Sequence, residues 1–307
     1  MKLNLIYNSE IRNSGTPVHF WAAMRNMKLD FERSLPMGNL PMESDFRIWI
    51  DDGRDDLRWL PPYPWGYYAT DTHLGWDYRR WKAGHADVVW CAQKPAADRM
   101  RAEGLNAHWL PLGCNPMAHP LPIELKLKFQ EAELPFVKYD IGFVGFLQKP
   151  EESNRIEFLD AMFKAFPNFL TAFGVFHEDM ARVYHQCRIG LNHAIRDDLN
   201  MRFFELASVG VPQLCDRRMV GLADLGFQEN AHYLGYSSTE EAIEVARHWL
   251  GEPDKLAAMA RAAHYTVRAN HTYEHRVHRM LGDINDFLAT SVRSEAATRR
   301  DSLELLV

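Results

Sequence analysis

An arginine and three acids are set close together in the stretch Asp197-Asp198-Leu199-Asn200-Met201-Arg202-Phe203-Phe204-Glu205-Leu206-Ala207-Ser208-Val209-Gly210-Val211-Pro212. Arg202 and Glu205 stand three residues apart, so a helix puts them side by side on one face. Burying either charge is costly unless something pairs with it. A ligand carrying phosphates and hydroxyls would answer both. A guanidinium presents donors in a fixed fork to a diphosphate, and an ionised Glu205 accepts hydrogen bonds from two vicinal hydroxyls. Asp197 precedes Glu205 with seven residues between them and supplies a second acid. The plainer reading is an ion pair on a helix, with Asp197 or Asp198 as its N-cap. Capping suits one of the aspartates, since a carboxylate beside a bound phosphate would repel it. Taken alone, these residues leave both readings open.

Three further groups have the residue types for a ligand site. Val144-Gly145-Phe146-Leu147-Gln148-Lys149 follows an apolar strand-like run, and Arg155 lies shortly beyond it. Glycine at Gly145 lets a backbone approach a phosphate, the N-terminus of the helix that follows supplies amide donors and a positive dipole end, and Lys149 and Arg155 could add charge. The same pattern also describes an ordinary turn. Asp71-Thr72-His73 offers a carboxylate and an imidazole that could bind sugar hydroxyls or take a proton from an acceptor. A metal-binding Asp-x-Asp triplet is not formed, because its third residue is His73. Gly15, in the polar loop Ser14-Gly15-Thr16, and His19, near the start of the first helix and a possible base, are further candidates. A histidine placed like His19 is more often a hydrogen-bonded structural residue. The aromatic run Trp59 to Tyr68 could stack on sugars, but packing is the preferred reading, and Trp76 and Trp81 are read as core.

These groups must be held by strands and helices that alternate. Lys2–Tyr7, Phe46–Ile50, Gly66–Thr70, Ala86–Cys91 and Asn106–Pro111 read as strands; helices are expected from Pro17 through Met24 and from Pro95 to Glu103. Pro116, Pro120, Pro122 and Pro135 interrupt the rhythm, so the segment from Asn115 to Lys138 is read as the connection between two halves. Strands are then expected at Asp140–Gly145, Phe169–Phe173, Ile189–Asn192 and Val211–Cys215. Helices are expected at Glu152–Phe166, Glu178–Gln186, Met201–Val209, Thr239–Leu250, Asp254–Val267 and Thr272–Leu288, with a loosely ordered tail after Ala289. The pattern predicts an α/β protein with parallel sheets, divided into residues 1–120, 121–270 and a final segment 271–307 that could cross back to the first half. Two Rossmann-like domains facing each other across a cleft are the expected arrangement. Ligands in such sheets bind beyond the carboxyl ends of the strands, which is where the candidate residues fall.

Composition narrows the function classes. The 307 residues are 47% apolar and 25% charged, with a net charge of −6, which argues against a broad nucleic-acid-binding surface. Cys91, Cys114, Cys187 and Cys215 are widely spaced, so reduced thiols in a cytoplasmic protein are expected in place of a zinc site or disulfides. The opening apolar run is too short for a signal-peptide core, and no run approaches membrane-spanning length.

From Tyr139 to about Leu288 the chain resembles the C-terminal half of the spore-maturation-protein (CgeB-like) glycosyltransferases, a branch of the GT-B superfamily. The likeness lies in Asp140–Gly145, in Asn200-Met201-Arg202-Phe203-Phe204-Glu205 with Gly210-Val211-Pro212, and in the Thr272-Tyr273…Arg276 helix. Asp71-Thr72-His73-Leu74, Ala86-Asp87 and Trp109-Leu110-Pro111-Leu112-Gly113 extend it to the first half. The resemblance implies a GT-B glycosyltransferase of the hexosyltransferase type, moving a sugar from a nucleotide-diphosphate donor, with a UDP-sugar expected, to a hydroxyl acceptor. Retention of configuration, and no cofactor or essential metal, are implied as well. Related family 4 transferases carry two glutamates with seven residues between them; the second, which contacts ribose, maps onto Glu205, and the first, near the sugar, maps onto Asp197. Asn200, Arg202, Gly145, Phe146, Lys149 and Arg155 would surround the donor, and Asp71 and His73 would meet the acceptor or the transferred sugar. A nucleotide-sugar epimerase of the same fold and a non-catalytic nucleotide- or sugar-binding protein are the alternatives.

Overall fold

A computed structural model describes the chain except for residues 11–13, 52, 54–57, 130–135, 146–152, 195, 197 and 305–307. The chain divides into two compact units, Met1–Leu110 with Glu274–Val307, and Pro111–Tyr273. The division after Leu110 places the segment that follows in the second unit. There Cys114 exchanges backbone hydrogen bonds with the His271–Tyr273 stretch, at 2.9 and 3.0 Å.

The first unit is built on β1 (Leu3–Ile6), α1 (Thr16–Asn26), β2 (Phe31–Ser34), β3 (Phe46–Ile50), β4 (Trp65–Ala69), α2 (Trp76–Ala83), β5 (Val88–Cys91), α3 (Lys94–Ala102) and β6 (Ala107–Trp109). Its six strands are all parallel in the order β2-β1-β3-β4-β5-β6. The order reverses between β1 and β3, the place where open α/β sheets leave a crevice. β1, β3, β4 and β5 are buried throughout, and Trp49, Trp65, Tyr67 and Val89 fill the core between sheet and helices. The edge strand β2 (Phe-Glu-Arg-Ser) was not expected, because it is half solvated and carries no apolar alternation. α2 also turns a different face inward than its tryptophans suggest. Trp76 and Trp81 are only half-buried, whereas Tyr78, Arg79, Lys82 and Ala83 are buried.

The second unit contains α4 (Pro122–Phe129), β7 (Tyr139–Val144), α5 (Ser153–Ala165), β8 (Phe169–Ala172), α6 (His177–Tyr184), β9 (Cys187–Asn192), α7 (Met201–Val209), β10 (Gln213–Asp216), β11 (Leu234–Tyr236), α8 (Thr239–Leu250) and α9 (Pro253–Asn270). Five parallel strands run in the order β11-β10-β9-β7-β8, reversing between β7 and β9. Two glycines set α7 in place. Gly190 in β9 leaves no room for a Cβ against Leu206, so helix and sheet approach closely. Gly210 ends the helix at φ +73°, a conformation costly for any residue with a Cβ. The chain then continues in α10 (Tyr273–Glu304), which from Glu274 onward belongs to the first unit; Trp90 Nε1 donates to its Asp283 at 2.9 Å. The helix runs through the region expected to be a loose tail. No helix among the described residues is long and apolar enough to cross a membrane. All four cysteines are buried thiols, and no disulfide is formed among the described residues.

Candidate functional site

Beyond the carboxyl end of β9, Asn192, Asn200, Arg202 and Glu205 come together. Asn192 and Asn200 exchange side-chain amide hydrogen bonds of 3.1 and 3.0 Å. Asn200 Oδ1 also accepts from the Phe203 amide at 3.2 Å, so Asn200 is the N-cap of α7. The expected aspartate cap is thereby corrected. A side-chain oxygen must sit immediately before the first turn to reach the free amides, and Asn200 has that position. Asp198 is buried ahead of the helix, and Asp197 lies outside the described residues.

Arg202 Nη1 lies 2.7 Å from Glu205 Oε2, so the ion pair of the plainer reading is formed. Arg202 also touches Met180 Sδ and lies over the Tyr184 ring, 5.6 Å from its centroid. Burial works against the Arg202 charge, but Glu205 outweighs it and holds the guanidinium pKa above its ordinary value. Glu205 is only 4% exposed, and its Oε1 lies 3.2 Å from His119 Nε2. Tyr184, whose phenol is pushed up to about 12 by burial, stays a neutral hydroxyl, and the Val144 amide donates to it at 3.1 Å.

A second group stands at the same end of the sheet. His193 follows β9 directly, Asp216 closes β10 and Tyr236 closes β11. His193 Nδ1 is 2.8 Å from Tyr236 Oη, and the imidazole, Phe158 and Tyr236 rings are stacked. Arg155 Nη2 donates to the His193 carbonyl at 3.0 Å. Burial lowers the His193 pKa to about 4; Asp216 opposes the shift, while Arg155 and Arg218 reinforce it. The ring is therefore neutral at physiological pH. Asp216 is covered by Arg218, which meets both carboxylate oxygens. None of His193, Asp216, Tyr236 and His119 was singled out from the sequence. The first three sit directly at strand ends, and applying the carboxyl-end rule to every strand would have found them. His119 lies in the proline-rich connection, where no periodicity marks it.

The remaining candidates are distributed as follows. Gly145 ends β7, its amide donating to Ala172 at 3.2 Å, while Phe146 and Lys149 lie outside the described residues. In the first unit, Gly15 precedes α1 as its N-cap residue and His19 is buried on that helix. Asp71 is exposed at φ +48° just after β4, and His73 is half-buried. Gly15, Thr16, Pro17, Asp51, Gly53, Thr70 and Asp71 line a small cavity of 130 Å³ at the β1/β3 reversal. Its carboxylates suit hydroxyl groups, which can donate to them. A larger cavity in the second unit, 730 Å³, opens at the amino ends of β9 and β10, between Val211, Leu256 and Tyr265. It is at the wrong end of the sheet for the site and holds none of the residues above.

Residues 157–282 match the model of a glycosyl transferase-like family, a span that includes Arg202, Glu205, His193 and Asp216. No match was found among curated protein sequences. Among solved structures, the chain is similar to sucrose-phosphate synthase from Thermosynechococcus elongatus, with a TM-score of 0.65 at 11% identity over 94% of this chain and 99% of the other. It is also similar to HepE from Anabaena, solved with UDP and glucose (TM-score 0.63, 11% identity, 92% of this chain and 99% of the other). The HepE structure with UDP-glucose gives 0.61 at 12% identity, again over 92% and 99%. The two parallel sheets with their helices are those of the GT-B fold.

Proposed function

We propose that the protein is a glycosyltransferase that takes a sugar from a UDP-sugar and passes it to a hydroxyl acceptor, with the donor held by the second unit. The observation that carries this reading is the Arg202–Glu205 pair at the start of α7, beyond the carboxyl end of β9 and within the span that matches the family model. Ribose hydroxyls donate to Glu205, and the diphosphate draws on Arg202, whose five N–H donors exceed the partners it has in the ligand-free chain. Gly145, which follows β7, stands at the same edge of the sheet, with its own amide engaged by the Ala172 carbonyl. Phe146, Lys149 and Asp197 keep their assigned donor-side roles as proposals, and Arg155 supports the site through His193. HepE, a structure of the same fold, has been solved with UDP-glucose, which supports UDP as the nucleotide. The motif from Asn200 to Glu205 supports placing the chain with the CgeB-like branch.

In the transfer, the bond between the anomeric carbon and the diphosphate oxygen breaks, and its electron pair leaves with the diphosphate. The acceptor oxygen bonds to the same carbon and gives up its proton to a base, for which Asp71 and His73 are the candidates. Asp71 and His73 of the first unit are assigned to the acceptor, with Gly15 and His19 as further candidates beside them. Basic side chains and amide dipoles stabilise the departing charge, so no divalent cation is needed; retention of configuration is the expected outcome.

The test is release of UDP from UDP-glucose, followed with and without hydroxyl acceptors. Acceptor-dependent release supports transfer. Interconversion of the donor sugar would replace this reading with an epimerase, and tight binding without turnover would replace it with a binding protein.

A further inference from the structure

We infer that His119 is a positioning residue for the nucleotide: its imidazole, held with the proton on Nε2, fixes the Glu205 carboxylate in the orientation that receives the ribose diol. The inference rests on the donor assignment made above and adds a residue that neither the motif nor the family match singles out.

The argument begins with the backbone of His119. Its carbonyl accepts from Ser208 Oγ at 2.8 Å and from Arg268 Nη2 at 3.0 Å. Arg268 Nε donates to the same Ser208 hydroxyl at 2.9 Å, and Arg268 Nη2 reaches Glu124 at 2.9 Å. The loop carrying His119 is thus tied to both α7 and α9. The ring is tied next. The Asn115 amide donates to His119 Nδ1 at 3.2 Å. An amide can only donate, so Nδ1 must present its lone pair, and the proton of the neutral ring sits on Nε2. That nitrogen faces Glu205 Oε1 at 3.2 Å, while Arg202 meets Oε2 at 2.7 Å. Each carboxylate oxygen thus has its own close N···O contact, and the two come from different directions. A carboxylate has about four lone-pair directions, so this hold leaves it able to accept from ribose hydroxyls. His119 is completely buried, and a ring with a fixed tautomer and a fixed backbone keeps Glu205 in place before the ligand arrives. Binding then avoids part of the cost of ordering that side chain.

The inference is tested by calorimetric titration with UDP and with 2′,3′-dideoxy-UDP, which lacks both hydroxyls. His119→Phe is expected to weaken UDP roughly 10-fold and to leave the dideoxy compound within about 2-fold, because only the diol contact depends on Glu205. His119→Gln, whose amide nitrogen takes the place of Nε2, is expected to recover most of the loss. In a Glu205→Ala background, His119→Phe should cost nothing further. Equal weakening of both nucleotides, or full additivity with Glu205→Ala, would overturn the positioning role. If Glu205→Ala itself leaves UDP affinity unchanged, the donor assignment fails and the inference falls with it; if only His119→Phe is silent, the donor assignment stands and this inference alone fails. A measurement independent of folding of the variants is the long-range ¹⁵N–¹H spectrum of the wild-type histidines. It should show His119 protonated at Nε2, and an Nδ1–H tautomer would overturn the proposal.

Discussion

Each unit buries an arginine–carboxylate pair near the carboxyl ends of its central strands, and the two pairs are built to different ends. In the first unit Arg79 Nε lies 2.7 Å from Asp51 Oδ2, with side chains 4% and 0% exposed. Arg79 also donates to the carbonyls of Thr70 and Gly75, and Asp51 accepts from the Gly53 amide at 2.9 Å. Next to them the fully buried Lys82 ammonium sits over Trp49 and Tyr78, 3.4 and 4.4 Å from the ring centroids. These charges hold the loops after β3 and β4 together. In the second unit Arg202 is 21% exposed and its contacts are a carboxylate, a thioether and a ring face; it makes no hydrogen bond to a backbone carbonyl among the described residues. Both pairs have the same N···O distance, so distance does not separate them. The difference lies in what else the guanidinium is bound to: backbone in one case, replaceable side chains in the other.

Breaking the first pair should have the largest effect. Arg79→Ala strands a buried carboxylate and is expected to cost about 3–5 kcal/mol, read by denaturant unfolding, whereas Arg202→Ala, which leaves Glu205 its contact with His119, should cost less. Comparable losses for the two would erase the distinction drawn here. Next comes pH. His193 titrates near 4 in the folded chain and near 6.5 when unfolded, so between those values the unfolded state binds the extra proton. Stability should be complete above about pH 6.5 and decline as pH falls toward 4, by roughly 3 kcal/mol in all. Melting curves of His193→Phe should lose this component. If the curves of wild type and variant stay parallel, the ring is not held neutral.

Glu205→Ala should reduce UDP affinity by about 1.5–3 kcal/mol, the range for hydrogen bonds to a charged group, while lowering stability much less than Arg79→Ala does. Calorimetry giving unchanged affinity would remove Glu205 from the donor site. Asn200→Ala should cost about 1 kcal/mol of stability through the lost α7 cap, and a melting temperature equal to wild type would reassign the cap. The smallest effect is expected from chelation: turnover should survive EDTA, and restoration of lost activity by a divalent ion would contradict the metal-free reading.

Much of the scaffold is written locally. The Met201–Val209 helix is legible to the residue, because its apolar run, Gly210 and Pro212 are all short-range signals. Most buried strands of both sheets are legible for the same reason, while the polar edge strand β2, the three-residue edge strand β11 and the helix α4 inside the proline-rich connection are not. In α2, composition showed only part of the packing: Trp76 lies half-buried against the core, as expected, but Arg79 and Lys82 occupy the inner face because Asp51 and the Trp49 ring receive their charges. The site was legible as a set of residue types. Its partners were not, since His119 and His193 carry no spacing that links them to Glu205 or Asp216.

By itself, the sequence determined that this is an alternating α/β chain and that Arg202 and Glu205 share a helical face. Periodicity, caps and a three-residue offset act within a turn or two of backbone, so they need no tertiary context. Only the tertiary structure decided the state of those charges. The ring of His119 comes to Glu205 because Ser208 and Arg268 hold a loop that is remote in sequence, and His193 is neutral because Phe158, Arg155 and Arg218 converge on it from separate elements. Burial and electrostatic environment depend on everything packed around a group, and that information is not carried by any short segment of the chain.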